Sequence, residues 1–323
     1  MQVYGEPEHS EWLALLSSAS DDTSTRLRRL AQRLPAAPLH KPLAPPPARE
    51  VLEALARRFP NHQQALSAVR DQAALCRVAG CGMRLQPMLL LGGPGTGKTM
   101  FARDTGKALG APVHLVAMAH SSAGFVLSGL DAGWSTGRPG LPFQLLVFGR
   151  SATVVIVLDE VDKASTDERH SPLGPLYSLL EPSTARAFVD EFAGLPIDTR
   201  SIIWIATANS LETIPKPLLS RFLVVKAEDP TREQMPALLA SVWEELLASE
   251  PWWGGCFERT LPQGTMTALA EMASLRDASS LLRRGAARAA LEGRREVLPG
   301  DLPAVEDSVR TVSRPIGFIH DPA

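Results

Sequence analysis

Cysteine is scarce in this 323-residue chain. Cys76, Cys81 and Cys256 are the only three, too few and too scattered for a disulfide framework. Neither Cys76 nor Cys81 has a nearby His or Cys pair to complete a zinc site. A reducing, cytoplasmic setting is the simple inference. Long hydrophobic runs are missing too. The most apolar stretch, "ATVVIVL" at 152–158, is far too short to cross a bilayer. No N-terminal segment joins a basic start to an apolar stretch, as a signal peptide does. Charge of one sign is also lacking. The 33 basic and 35 acidic residues leave a net charge of −2, which argues against a general affinity for nucleic acid or anionic membranes. Only six of the basic residues are lysine, a bias that reflects genome composition more often than function. What is present is 45% hydrophobic residues. That is enough for a real core, in a length that holds two ordinary domains or one large domain with a lid.

The chain has no internal repeats. Residues 1–50 read as short polar helices, such as "TSTRLRRLAQRL", followed by "PAAPLHKPLAPPPARE", whose prolines favour an extended spacer. From 51 to 84 apolar residues recur at three and four, which is helical spacing. Between 85 and 229 the rhythm changes. Short apolar runs ("PMLLLGG", "APVHLVAM", "ATVVIVLDE", "SIIWIATAN", "RFLVVKAE") alternate with helical stretches. That alternation predicts an α/β fold with a parallel, five-stranded sheet covered by helices on both faces. From 230 to 315 strands stop and helical patterns at 231–248, 262–273, 278–292 and 300–312 predict a small helical lid domain. A short tail, 316–323, follows.

The strongest chemical signal is "GGPGTGKT" at 92–99, which fits G-x-x-x-x-G-K-[ST] and lies between an expected strand and an expected helix. Gly92, Gly93, Pro94, Gly95, Thr96 and Gly97 form a loop whose N–H groups can curl around phosphate oxygens at a helix N-terminus. Lys98 is expected to reach the β- and γ-phosphates of ATP and Thr99 to place its hydroxyl on Mg²⁺. The second signal is a hydrophobic strand that ends in Asp159 and Glu160. One acid is expected to bind the hydrated metal and the other to polarise the attacking water, since phosphoryl transfer needs positioning and charge stabilisation more than covalent help. Asn209 closes the strand "IIWIATAN" and can orient that water, although an Asn at a strand end often only makes a turn. Arg221, in "IPKPLLSRF", is either a surface charge or an arginine finger acting on a neighbour's site. Trp134 stands in the loop "DAGWSTGRPG", among residues that make turns rather than cores. Its ring either tucks onto its own domain or grips something.

In this order, GPGTGKT, LDEVDK, ATAN and PLLSRF resemble the AAA+ ATPases, and in detail the ATPase module of the Lon proteases. "VLDEVDKAS", "SLLEPSTARAFVDEF" and "IATANSLETIPKPLLSRFLVV" are similar to successive Lon segments, over roughly 85–295. The resemblance implies a Walker A loop at Gly92–Thr99, Walker B at Asp159 and Glu160, sensor 1 at Asn209, the arginine finger at Arg221 and the sensor 2 arginine at Arg276. It places Trp134 on the pore aromatic that pulls an extended polypeptide, though Ser135 and Thr136 replace Lon's aliphatic–Gly pair. Lon's large N-terminal domain and its peptidase have no counterpart in the pattern. The implied protein is a stand-alone Lon-like ATPase, assembled as a homo-oligomer (a hexamer), which hydrolyses ATP with Mg²⁺ to remodel or unfold polypeptides. No peptidase activity is expected, and any proteolysis would come from a partner protein. The other reading is a nucleotide-controlled assembly switch that regulates a nucleic-acid or defence complex. The basic stretch "LLRRGAARAALEGRREV" gives that reading slight support, but Glu292 and Glu296 interrupt it, so contact with nucleic acid is not expected.

Overall fold

The computed structural model describes residues 1–4, 10, 21–34, 39–120, 123–165, 171–272 and 275–303. Two compact units make up the chain: Met1–Gly93 with Lys98–Asp229, and Pro94–Gly97 with the residues from Pro230 onward.

The first unit is built on β1 (Met88–Leu91), β2 (Val113–Ala117), β3 (Val154–Asp159), β6 (Ile202–Ala208) and β7 (Leu223–Lys226). They form one sheet in the order β2-β3-β6-β1-β7, and every pairing is parallel. These are the five apolar runs of the sequence. β6 is buried at every position and β3 at all but its last, as parallel strands covered on both faces must be. The carboxyl ends of β1, β3 and β6 lie side by side: Leu91 pairs with Ala208, and Leu158 with Ala206. An added antiparallel pair, β4 (Phe188–Val189) with β5 (Pro196–Ile197), was not legible as strands, because two residues carry no periodicity.

Helices α1 (Asp21–Arg33), α2 (Arg49–Arg58), α3 (Gln63–Val78) and α4 (Lys98–Ala108) belong to this unit. The segment before residue 85 is not appended to the sheet; it completes the core. Val3, Tyr4, Leu30 and Leu34 are buried in the same cluster as Leu146, Ile156, Leu158 and Trp204. Phe59 and His62, between α2 and α3, meet Phe101 of α4 edge-on at 5.5 Å and stacked at 4.5 Å.

From residue 39 to 48 the proline-rich stretch is extended, as its composition predicts, but it is a strap and not a free spacer. Its Pro42 and Ala44 carbonyls accept from Ala152 and Met83. Lys41 is buried, and its Nζ donates to the carbonyls of Val147 at 2.6 Å and Gly149 at 2.5 Å. The lysine thus supplies donors to the last carbonyls of the helical turn Gln144–Phe148. Leaving one such buried carbonyl unpaired costs about 1–3 kcal/mol, which is why the strap stays on the domain.

The second unit contains α5 (Met235–Ser249), α6 (Gln263–Met272) and α7 (Leu275–Leu291). Leu238, Leu239, Trp243, Leu269, Ala278, Leu281 and Leu282 are among its buried side chains. Trp243 satisfies its indole N–H on the Glu258 carbonyl at 3.0 Å, while Arg294 holds Asp301 through two bonds of 2.7 Å. A helical pattern at 300–312 was expected; only the turn Pro299–Asp301 falls among the described residues there.

Candidate active site

The loop leaving β1 runs directly into α4, and Lys98 is the first residue of that helix. Gly95 and Gly97 have φ of 81° and 85°, a region that side chains rarely adopt. Alternating such residues with ordinary ones turns successive N–H groups to one side, which makes an anion cradle. Lys98 is buried. Its Nζ donates to the carbonyls of Gly92 at 2.9 Å and Gly93 at 2.7 Å, and to Asn209 Oδ1 at 3.0 Å. Burial lowers its pKa, while the carboxylates of Asp162, Asp159, Glu160 and Asp229 oppose that shift. An ammonium whose acceptors are neutral carbonyls and an amide has little holding it there. Phosphate oxygens, which bind a cation more strongly, can take their place.

Asp159, at the end of β3, receives two hydroxyls on one oxygen: Thr99 at 2.7 Å and Thr207 at 2.7 Å. A threonine hydroxyl beside a carboxylate is the hard oxygen set that Mg²⁺ takes, with phosphates and waters as its remaining ligands. Among the described residues no group of three or more His, Cys, Asp or Glu could hold a metal unaided.

Glu160 is the one non-glycine residue with positive φ among the described residues, at φ 55° and ψ 53°. Such a conformation costs about 1–3 kcal/mol. A hydrogen bond from its N–H to Thr207 Oγ1, at 2.9 Å, contributes about 1 kcal/mol against that cost. The consequence is a division between neighbours: Asp159 is tied inward by hydroxyls, and Glu160 turns out to solvent.

Asn209 follows β6. Its own N–H donates to Asp162 Oδ2 at 3.1 Å, and the N–H of Ser210 reaches the same oxygen at 3.3 Å. Asp162 and Thr207 were missed as site residues. Thr207 carried a signal, a polar group in an apolar run, whereas Asp162 sits among charged residues. Thr207 lies inside "IIWIATA", and it is buried only because its hydroxyl is bonded on both sides.

The structure brings Lys98, Thr99, Asp159, Glu160 and Asn209 to one end of the sheet. It does not bring Arg221 there. Arg221 Nε lies 3.4 Å from Glu181 Oε2, and the guanidinium is 5.7 Å from the Tyr177 ring. Trp134 stands at the tip of a small hairpin closed by the bridge between Leu130 and Arg138. The Trp134 N–H donates to Asp131 at 3.1 Å and its carbonyl accepts from Gly137 at 2.9 Å. The residue is 65% exposed, so its ring is not a core side chain of this chain. Arg276 is the second residue of α7; its side chain lies outside the described residues.

Residues 88–227 match the ATPase family associated with various cellular activities (AAA). That match covers less than half of the chain and marks a stretch similar to the ATPase domains of that family. The chain is also similar to part of the Lon proteases. It is 31% identical over 166 residues to a Lon protease of Chloroflexus aggregans, covering 51% of this chain and 20% of that protein. It is 37% identical over 172 residues to Lon protease 1 of Sorangium cellulosum, covering 53% and 20%. The chain thus spans about a fifth of the length of these curated relatives. Among solved structures, a mutant RuvB of Thermotoga maritima overlaps 74% of this chain and 67% of its own, at 15% identity and a TM-score of 0.47. That overlap is too loose to add to the sheet order. The family match implies nucleotide binding with a divalent cation.

Proposed function

We propose that the chain hydrolyses ATP with Mg²⁺ at the end of this sheet and couples hydrolysis to the remodelling of polypeptides in a ring of identical subunits, a hexamer. The observation that carries the catalytic part is the contrast between the two strand-end acids. Asp159 is fixed beside Thr99 by two hydroxyls, while Glu160 is held outward by a strained backbone bonded to Thr207. Bound ATP and Mg²⁺ supply an electrophilic phosphoryl group whose developing charge the metal offsets. Gly92 to Thr99 hold the phosphates, and Lys98 exchanges its loop carbonyls for them. Thr99 and Asp159 hold the cation. Glu160 accepts the proton of the attacking water, and Asn209, pinned through its backbone by Asp162, orients that water. Arg221 completes a neighbour's site, and Arg276 reports on nucleotide from the helical unit.

The remodelling part rests on Trp134. Its ring stands exposed at a hairpin tip, and the resemblance to Lon gives an extended polypeptide as what it would hold. No described helix is long and apolar enough to cross a membrane; a cytoplasmic setting belongs to the proposal.

Glu160→Gln tests the catalytic part. It should bind ATP with near-normal affinity, because Lys98, Thr99 and Asp159 remain, and turnover should fall roughly a hundredfold or more, the usual loss for a general base. Binding and turnover measured on one preparation decide it, and turnover near the wild-type rate removes Glu160 from the role. Adding an unfolded protein should raise the wild-type ATPase rate. Stimulation by DNA alone would favour a nucleic-acid switch instead.

A further inference from the structure

Cys76 and Cys81 are drawn together by the way α3 ends. The N–H of Cys81 donates to the Cys76 carbonyl at 3.1 Å, and the N–H of Gly80 to the Arg77 carbonyl at 3.2 Å. Gly80 between them has φ 60°. Paired bonds of this kind around a left-handed glycine are the Schellman ending, which sets a residue of the last helical turn against the second residue beyond the helix. Two apolar side chains usually meet there; in this chain both are cysteines. The Schellman geometry sets the two side chains against each other, and the Cys76 thiol donates to the Arg84 carbonyl at 3.9 Å. Cys76 is buried and Cys81 half-buried. Burial pushes the Cys76 thiol up, and the neighbouring Cys81 adds to that shift.

We propose that Cys76 and Cys81 form an oxidation-sensitive dithiol that closes to a disulfide under hydrogen peroxide. Cys81, the more accessible of the two, attacks first as its thiolate. Its sulfur bonds to one peroxide oxygen, the O–O bond breaks, and the departing oxygen leaves as water once protonated. The Cys76 sulfur then attacks the resulting sulfenic sulfur. The S–S bond forms, the S–O bond breaks, and the hydroxyl leaves as a second water with the Cys76 proton. Two thiols lose two electrons and two protons, and the peroxide becomes two waters. The ring so closed is short, so it removes little chain entropy and adds little global stability. Its effect is local: it locks the turn from which the chain passes, through Met83 on the Ala44 carbonyl of the strap, to β1 and the phosphate loop. Intracellular disulfides are characteristically of this transient, sensing kind. The site is independent of the proposed ATPase chemistry.

Arg77 lies between the two cysteines, so trypsin separates them into peptides 71–77 and 78–84. The full chain is treated with hydrogen peroxide under native conditions, alkylated, digested without reductant and examined by mass spectrometry. The expected product is the two peptides joined, lighter by two hydrogens than their sum and separated by dithiothreitol. Exposed Cys256 should stay out of that link. Gly80→Ala keeps both thiols, and its new Cβ meets no atom within 4 Å. The left-handed φ nevertheless strains it, so closure should slow severalfold. Cys76→Ser should leave Cys81 as a sulfenic acid that a dimedone probe traps. Three results would overturn the proposal: Cys81 running on to sulfinic acid while Cys76 stays free, a link that includes Cys256, or closure as fast in the Gly80→Ala variant or in urea as in the native chain.

Discussion

Asp190 is fully buried, and its two oxygens accept three main-chain N–H groups: Gly140 at 2.7 Å, Ala193 at 2.9 Å and Phe192 at 3.0 Å. Those bonds favour the carboxylate, but burial outweighs them and pushes the pKa up from 3.8 to about 6. A folded-state pKa above the unfolded value means that the folded chain binds the extra proton between those limits. The stability linked to this group is therefore present below pH 4 and lost as pH rises through 6. A shift of roughly two units corresponds to about 3 kcal/mol. Asp190→Asn cannot titrate, so the stability of the wild type relative to it should fall by an amount of that order between pH 4 and pH 7. Urea unfolding at several pH values measures the difference, and a flat difference would mean that Asp190 titrates at its ordinary value. Sequence spacing exposed the phosphate loop because its chemistry is local, with Gly92 to Thr99 carrying both the turn and the charge. Asp190 was invisible because its Gly140 partner lies 50 residues away. Thr207 is hidden in the same way, 48 residues from Asp159.

At the scale of elements, five strands could be read as apolar runs because a buried parallel strand needs no alternation. The strap could not be read, since the bonds that hold it, from Lys41 and to Pro42 and Ala44, reach partners far along the chain. The Trp134 hairpin lies between these cases. Glycines and a proline marked a turn, but only the structure shows the ring outside the core. This decides what truncation should do. A core tryptophan costs about 3–5 kcal/mol when cut to alanine, on the order of ten degrees in melting temperature for a domain of this size. With 65% of the residue exposed, Trp134→Ala should melt within a few degrees of wild type and keep its basal ATPase rate. If the hairpin grips polypeptide, stimulation by an unfolded protein should disappear. A variant that still responds fully to that protein leaves the ring without a gripping role.

The proposed assembly belongs to the whole molecule, and Arg221 is the residue that tests it. In one subunit Arg221 pairs with Glu181 at 3.4 Å and lies beside Tyr177. Both charged side chains are partly exposed, and such a pair contributes only about 0–1 kcal/mol. That is weak enough to yield when a neighbouring subunit offers a nucleotide phosphate, a stronger partner for a guanidinium. Nothing in the sequence could separate this latch from an ordinary surface charge, because Glu181 and Arg221 are placed together only by the fold. Arg221→Ala should therefore keep nucleotide affinity and lose most turnover, since the finger acts on the transition state. Lys98→Ala should lose its own pocket but still offer a finger. In a ring whose contacts run head to tail, equal mixing of the two inactive variants pairs a sound pocket with a sound finger at about one interface in four. The mixture should regain roughly that fraction of wild-type turnover, and the recovery should vary with the mixing ratio and peak at equality. Affinity tags on the two variants establish that they share rings. Co-assembled rings with no recovered activity at any ratio would place Arg221 outside the neighbour's site, and full turnover by Arg221→Ala alone would do the same.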